Sequence, residues 1–315
     1  MEQLGLEGMP RRLYSCTPSR LNSWLDCRRR YRFAYLDRPA PPKGPPWAHN
    51  SVGAAVHNAL AAWWREPYER RTPMTAAILV SNGWIAEGFR DQEQSLAWRD
   101  RAREMVSGYV ATLDAADEPV GVERTVATRT AIIAVSGRID RLDRRGDELV
   151  VVDYKTGRRP PGPDDARSSL ALAIYAVAAS RVLRRSCHRV ELHHLPTGQI
   201  ADWEHTDETL SRHLTRAEQI AEEASTADEA YRARIPSVGK RSSRGSTAAK
   251  STPAESNGPG AASVPPEIDA LFPPSPGPIC SWCDFRRHCP EGQVAAPDRV
   301  PWDGLAAIAE QTHQE

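Results

Sequence analysis

The stretch from Gly137 to Lys155, G-R-I-D-R-L-D-R-R-G-D-E-L-V-V-V-D-Y-K, constrains the fold more than any other part of the chain. Two arms rich in Val, Ile and Leu flank Gly146-Asp147. That pair suits a two-residue type II′ hairpin turn, which takes Gly first. The turn fixes a register in which Arg145 faces Glu148, Arg144 faces Leu149 and Asp140 faces Asp153. Directly opposed residues have Cβ atoms about 5 Å apart. Two carboxylates at that distance repel, and one pKa rises unless a cation lies between them. A divalent cation resolves the conflict, since Mg²⁺ takes one or two carboxylates with waters and substrate oxygens. Side chains alternate along a strand, so Leu149, Val151, Asp153 and Lys155 share a face. An exposed hairpin with chance acids accounts for Asp143 and Asp147. It accounts poorly for Asp153, which ends a run of three Val.

Lysine usage singles out the same place. Of 41 basic residues four are Lys, at 43, 155, 240 and 250, and Lys155 alone lies between Pro45 and Gly239. A coding bias towards Arg explains the ratio but not a Lys kept within a strand. Lys is a compact charge whose pKa can be shifted, whereas Arg is a planar fork that stays charged. Lys155 is therefore a candidate to orient or deprotonate a water, or to stabilise developing negative charge.

The 315 residues suffice for one large domain or one domain with attachments. Formal net charge is zero, so no global field attracts a polyanion and local charge must be read instead. From Arg11 to Arg38 there are eight Arg against Asp26 and Asp37, a local charge of +6. No run of about 18 apolar residues occurs, so no membrane span is expected. The N-terminus has no basic region followed by an apolar core, as a secretory signal would. A cytoplasmic location is expected, and with it six Cys that are free or metal-bound rather than disulfide-paired.

Thr17-Pro18-Ser19 reads as an N-cap with Pro at the first helical position, followed by Leu21, Trp24 and Leu25 at helical spacing. Five Pro mark residues 39 to 47 as a loop. A helix is expected over 51 to 64, with Val52, Val56, Leu60 and Trp63 on one face, and two more within 74 to 113. Residues 123 to 155 read as strands. A helix over 165 to 184 buries Leu170, Ile174 and Val177. A hairpin over 189 to 205 turns at Thr197-Gly198, and a polar helix covers 207 to 233. Residues 237 to 278 are dominated by Ser, Pro, Gly, Ala and Thr and are expected to be disordered. The organisation that follows is a domain over 1 to 236, a linker over 237 to 278, a cysteine segment over 279 to 292 that completes the domain, and a tail over 293 to 315.

G-R-I-D followed by V-V-D-Y-K-T-G resembles the RecB-like branch of the PD-(D/E)XK nucleases. The resemblance implies an α/β, restriction-endonuclease-like core with a mixed central sheet flanked by helices. It implies that Asp140 and Asp153 bind Mg²⁺ or Mn²⁺, that the carbonyl of Tyr154 does so too, and that Lys155 is catalytic. Gly53-Ala-Ala-Val-His57 is similar to the family's G-x-x-x-H, which makes His57 a metal ligand. Without the resemblance, a His on an apolar helix is more often a satisfied core residue. Glu123, in V-E-R, has a weaker counterpart that helps position the site. The family's Q-x-x-x-Y helix keeps its Tyr as Tyr175 but has Ala171 where Gln is usual.

Cys280, Cys283 and Cys289 offer three thiolates in a C-x2-C-x5-C pattern. The resemblance implies a 4Fe–4S cluster completed by Cys27, joining the chain ends, with Cys16 the substitute ligand. Spacing alone also permits structural Zn²⁺, with His288 able to replace one Cys. Cys187 stands alone and reads as an unliganded thiol.

Arg28, Arg29 and Arg30 are candidate phosphate contacts, and Tyr31 or Phe33 candidate stacking groups, although such aromatics are more often core. Arg158 and Arg159 follow the D-Y-K motif and are candidates to hold the cleaved strand. The function expected is a metal-dependent DNA exonuclease of repair or recombination, acting on single strands or ends. The alternative is a catalytically weak nuclease fold that holds DNA or a partner. No G-x-x-x-x-G-K-[ST] loop is present, so unwinding would need a helicase partner.

Overall fold

The computed structural model describes residues 13 to 234 and 265 to 305. Strand β1 (Tyr14–Cys16) leads into α1 (Pro18–Asp26), α2 (Arg28–Tyr35), α3 (Ala48–Arg65), α4 (Pro73–Asn82) and α5 (Gln92–Val110). Strands β2 (Gly121–Arg129), β3 (Ile133–Arg145) and β4 (Glu148–Lys155) follow. Then come α6 (Pro163–Ser168), α7 (Leu170–Leu183), β5 (Arg189–His194), β6 (Gln199–Glu204) and α8 (Asp207–Arg234). Two short helices close the described chain, α9 (Pro266–Asp269) and α10 (Pro290–Ala295).

The strands form one mixed six-stranded sheet. Pairs β2–β3, β3–β4 and β5–β6 are antiparallel, while β1–β3 and β4–β5 are parallel. This is the mixed sheet flanked by helices that the sequence led us to expect. Strand β4 is central, and Leu149, Val150, Val151 and Val152 are all buried. Val150 and Val152 pack with Val56, Leu60 and Val106 of α3 and α5, while Leu149 and Val151 pack with Leu172 and Val177 of α7. A strand covered on both faces reads as a continuous apolar run. A third cluster joins Leu21 and Trp24 of α1 to Ile220 and Ala224 of α8 and to Ile268 and Phe272.

Local signals act where the sequence places them. The Thr17 side chain accepts from Arg20 N, capping α1 with Pro18 at its first position. Gly146 has a φ of 63° while Asp147 does not enter that region, as a type II′ turn requires. Among the described residues no helix is long and apolar enough to cross a membrane.

Four features depart from the expectations. The helix over 165 to 184 is two helices, because Ser169 turns to extended geometry and caps α7 by accepting from Leu172 N. Strand β1 has only three residues and was hidden by its length. Of the segment 237 to 278, residues 237 to 264 lie outside the described residues, but from 265 onward the chain is packed. Ile268 and Phe272 are fully buried there, apolar anchors that an average over a Ser/Pro/Gly-rich stretch conceals. The tail over 293 to 315 is described to Leu305, which is buried, and Ala48 N donates to the Pro301 carbonyl at the start of α3.

Candidate functional site

The β3–β4 ladder runs from Arg145↔Glu148 to Arg141↔Val152. One step further, the same register sets Asp140 against Asp153. There the backbone ladder stops, and the Asp140 Oδ2 accepts from Tyr154 N at 2.9 Å instead. The strands part at the two carboxylates, which opens a pocket between them. On the other edge of β3, Val122 pairs with Arg141 and Arg124 with Ile139, so Glu123 stands across from Asp140. Glu123 is not a ladder partner and has a φ of 50°, in the left-handed region that non-glycine residues seldom enter. Such strain persists only where surrounding structure enforces it, and it concentrates at functional sites. Three acids thus stand in a row across three strands.

His57 enters from α3, with Nδ1 3.3 Å from Asp140 Oδ2. One ligand-type atom each from His57, Glu123 and Asp140 lies within 4.8 Å of the other two. Lys155 Nζ is 2.6 Å from Asp153 Oδ2. That oxygen is nonetheless buried without a hydrogen bond of acceptable geometry. Burial pushes the Asp153 carboxyl above the usual carboxylate range; Lys155 opposes this and Asp140 adds to it. Burial alone would lower the His57 pKa, but the hydrogen bond and charge of Asp140, with Asp153 and Glu123 behind it, raise it.

Two glycines make room for this arrangement. A Cβ on Gly137 would collide with Tyr175 Cε1, so the Gly of G-R-I-D is what lets α7 press Tyr175 onto β3. Burial, then Asp153 and Asp140, push the Tyr175 hydroxyl pKa up. A Cβ on Gly53 would lie 3.3 Å from Thr156 Oγ1, so the Gly of G-A-A-V-H lets α3 approach the end of β4. Tyr154 itself is buried, with its ring edge-on to His57 and its hydroxyl accepting from Trp64 Nε1 at 3.3 Å.

The donor set fits a divalent cation. His57, Glu123 and Asp140 bring one imidazole nitrogen and two carboxylates together, a chemistry suited to a hard ion; Asp153, across from Asp140, lies outside that group and is paired with Lys155.

Residues 15 to 290 match the PD-(D/E)XK nuclease superfamily. The chain belongs to that superfamily. No match was found among curated proteins. Among solved structures, a protein from Eubacterium rectale described as a "putative exonuclease" is similar at 10% identity, covering 69% of this chain and 82% of that one, with a TM-score of 0.44.

Within this PD-(D/E)XK chain, cysteines remote in sequence share a second cavity. Cys27, Cys280, Cys283 and Cys289 all line one cavity, together with Arg29, Phe33, Trp282 and Phe285. Cys27 lies between α1 and α2, where its Sγ accepts from Arg30 N at 3.5 Å. Gly292 sits against the thiols, since a Cβ there would lie 3.4 Å from Cys289 Sγ and 3.5 Å from Cys280 Sγ. Cys16 is not at this cavity. It is buried in the core, and burial raises its pKa to about 11. Cys187 is likewise buried, with its pKa raised to about 12. His288 is directed elsewhere, with Nε2 donating to the Pro42 carbonyl at 3.0 Å.

The basic run divides. Tyr31 and Phe33 are core residues, so neither is available to stack on a base. Arg29 is turned inward, with a side chain 11% exposed that pairs with Asp269 at 2.9 Å and Glu291 at 2.6 Å. The sequence suggested a phosphate contact here. The structure instead uses Arg29 to hold the C-terminal segment, because the acids that neutralise it are distant in sequence. Arg28 pairs with Glu223 and Arg30 with Asp26, both at the surface. Arg158 is exposed, and Arg159 pairs with Asp165.

Glu123 is the residue the sequence undervalued. Its signal was a lone acid at the start of a strand. Only the register across β2 and β3 shows that it stands opposite Asp140.

Proposed function

We propose that this chain is a metal-dependent DNA nuclease, acting as an exonuclease on single strands or ends in repair or recombination. The observation that carries the reading is the convergence of His57, Glu123, Asp140, Asp153 and Lys155 where β3 and β4 part. His57, Asp140 and Asp153, with the Tyr154 carbonyl, would hold Mg²⁺ or Mn²⁺, and Glu123 is close enough to join them. Such an ion, when bound, lowers the pKa of water and polarises a phosphoryl oxygen.

The protein's own part is then as follows. Asp153 Oδ2 is paired with Lys155 here; as a ligand it would share its charge with the ion and leave the Lys155 ammonium available. Lys155 Nζ then orients the attacking water and donates to the phosphate oxygen on which charge builds. Tyr175, pressed against Gly137, steadies the strand that carries Asp140 and closes one side of the pocket. Arg28, Arg30 and Arg158 keep enough exposure to meet phosphates. No base-reading signature accompanies them, so cleavage is expected without sequence specificity.

We propose further that Cys27, Cys280, Cys283 and Cys289 hold a 4Fe–4S cluster. The four thiols line one cavity, a thiolate set that suits the cluster, with structural Zn²⁺ the alternative. A brown, iron-containing protein is expected. A colourless anaerobic preparation that contains zinc would overturn this assignment.

The second reading, a catalytically weak nuclease fold that holds DNA or a helicase partner, rests on Ala171 in the place of the family's Gln. Anaerobically purified protein, given labelled single- and double-stranded DNA with Mg²⁺ or Mn²⁺, decides between them. Cleavage that disappears in Asp153→Ala and Lys155→Ala supports the nuclease. Binding without cleavage under every metal condition favours the second reading.

A further inference from the structure

His194 is the last residue of β5 and the register partner of Lys155 in the parallel β4–β5 pair. It is 1% exposed. Both ring nitrogens are engaged. Nε2 lies 2.6 Å from the Gly157 carbonyl oxygen and Nδ1 2.8 Å from Thr197 Oγ1. A carbonyl oxygen can only accept, so Nε2 carries the proton and Nδ1 accepts from the Thr197 hydroxyl. One neutral tautomer satisfies both contacts.

These contacts bind the β5–β6 turn to the segment that follows Lys155. Leu195 N donates to the Lys155 carbonyl at 2.9 Å. On the opposite side Thr156 sits against Gly53 of α3. Residues 155 to 157 are therefore held from both flanks, and beyond the bond from His194 to Gly157 the next side-chain contact is the exposed pair of Arg159 with Asp165. Lys155, Gly157, Arg159, Asp165 and Ser169 line an open groove. Arg158 does not line the groove itself but lies next to Gly157 and Arg159, which do; it is exposed and has no intramolecular partner among the described residues.

The hydrolytic chemistry proposed above makes no use of His194, yet among the described residues no other side chain holds the Gly157 carbonyl. We infer that His194 is a positioning residue: through the Gly157 carbonyl it fixes residues 156 to 159 so that Lys155 and Arg158 meet a phosphodiester of a DNA strand lying in the groove. The inference rests on the nuclease reading above. A misplacement of about 1 Å at such a point can cost about 100-fold in rate.

The test uses the full chain with Mn²⁺ and a labelled single strand. His194→Phe keeps the ring volume and removes both hydrogen bonds. It should lower kcat about 100-fold with little change in KM, while Mn²⁺ affinity holds, since His57, Glu123 and Asp140 lie on other elements and the β4–β5 ladder that holds Asp153 and Tyr154 does not depend on the His194 ring. His194→Gln, which retains a donor, should recover part of kcat. Arg158→Ala should weaken the wild type but add little in the His194→Phe background, because the positioning is already lost. Effects that simply multiply, a parallel fall in Mn²⁺ affinity, or full activity of His194→Phe would each overturn the inference. A wild type that binds but does not cleave sinks the nuclease reading by itself. In that case the same cycle, read as the Kd for the strand, decides: coupled losses support the positioning role and independent losses overturn it. Nitrogen NMR of the histidine-labelled wild type reports the tautomer without any variant. A neutral Nε2–H ring is expected, and an Nδ1–H ring overturns the assignment.

Discussion

The acids of the candidate metal site come from three strands that follow one another in the chain, joined by short turns, whereas the cysteine cavity unites Cys27 with three thiols far along the chain. The pocket holds like charges together: Glu123 in a left-handed backbone conformation, Asp140 opposite Asp153, and an Asp153 oxygen without a hydrogen bond. The cavity is lined by aromatic rings and thiols, and Arg29 with Asp269 and Glu291 clamps its rim. On the roles proposed above, the first region is arranged for chemistry and the second joins parts of the chain that are remote in sequence. The difference predicts that damage to each will move activity and stability in different directions.

The largest effect belongs to the pocket. Asp153→Asn should abolish cleavage by about 1,000-fold or more, the scale of several kcal/mol of lost charge stabilisation. The same change should raise the melting temperature of the metal-free protein, because it neutralises a buried carboxyl whose pKa burial and Asp140 already push up. A lower melting temperature would break the comparison, since the pocket would then be a stabilising feature. The cavity should respond the opposite way. Cys280→Ala or Cys289→Ala should lower the melting temperature by several degrees, abolish the iron content that the proposed cluster requires and reduce cleavage only as far as the fold loosens. Cysteine variants that keep the wild-type melting temperature would show that the ends are held by packing alone.

This contrast also explains what could be read from the sequence. The hairpin register was legible because the Gly146-Asp147 turn is a local signal, and it fixes Asp140 relative to Asp153. His57 was reached only by resemblance, since its neighbour Asp140 lies on another element and no periodicity links α3 to β3. Glu123 was underweighted because its role depends on a backbone conformation that residue type does not announce. The fate of Arg29 was illegible for the same reason as the burial of Phe272. Both depend on contacts between segments that are remote in the chain, and a basic run or a Ser/Pro-rich stretch looks identical with or without them. The break at Ser169 was a local signal that the apolar periodicity of α7 outweighed.

Two smaller effects sharpen the comparison. Arg29→Ala leaves every thiol in place but removes the clamp at the cavity rim. It should cost about 2 kcal/mol in denaturant unfolding, as the Arg is largely buried while Asp269 and Glu291 remain partly solvated. It should leave the affinity for a single strand unchanged. A DNA-binding loss without a stability loss would return Arg29 to the substrate and blur the division between the regions.

The smallest effect lies in neither region and gives the baseline for both. His205, where β6 meets α8, is buried with Nε2 unpartnered, and its ring stands edge-on to His213. Burial, followed by the nearby His213 and His188, lowers its pKa to about 4. The unfolded chain, with an ordinary imidazole pKa of about 6.5, binds the extra proton first as pH falls. His205 therefore contributes its full stability above about pH 6.5 and loses it progressively down to about pH 4. With His213 and His188 partly solvated, the loss should be about 1 kcal/mol rather than the larger figure the whole shift implies. Unfolding of wild type and His205→Gln between pH 4 and 7 should show the steeper slope in the wild type. Equal slopes would mean that the ring is already open to water and that acid sensitivity arises in the carboxylate pocket instead.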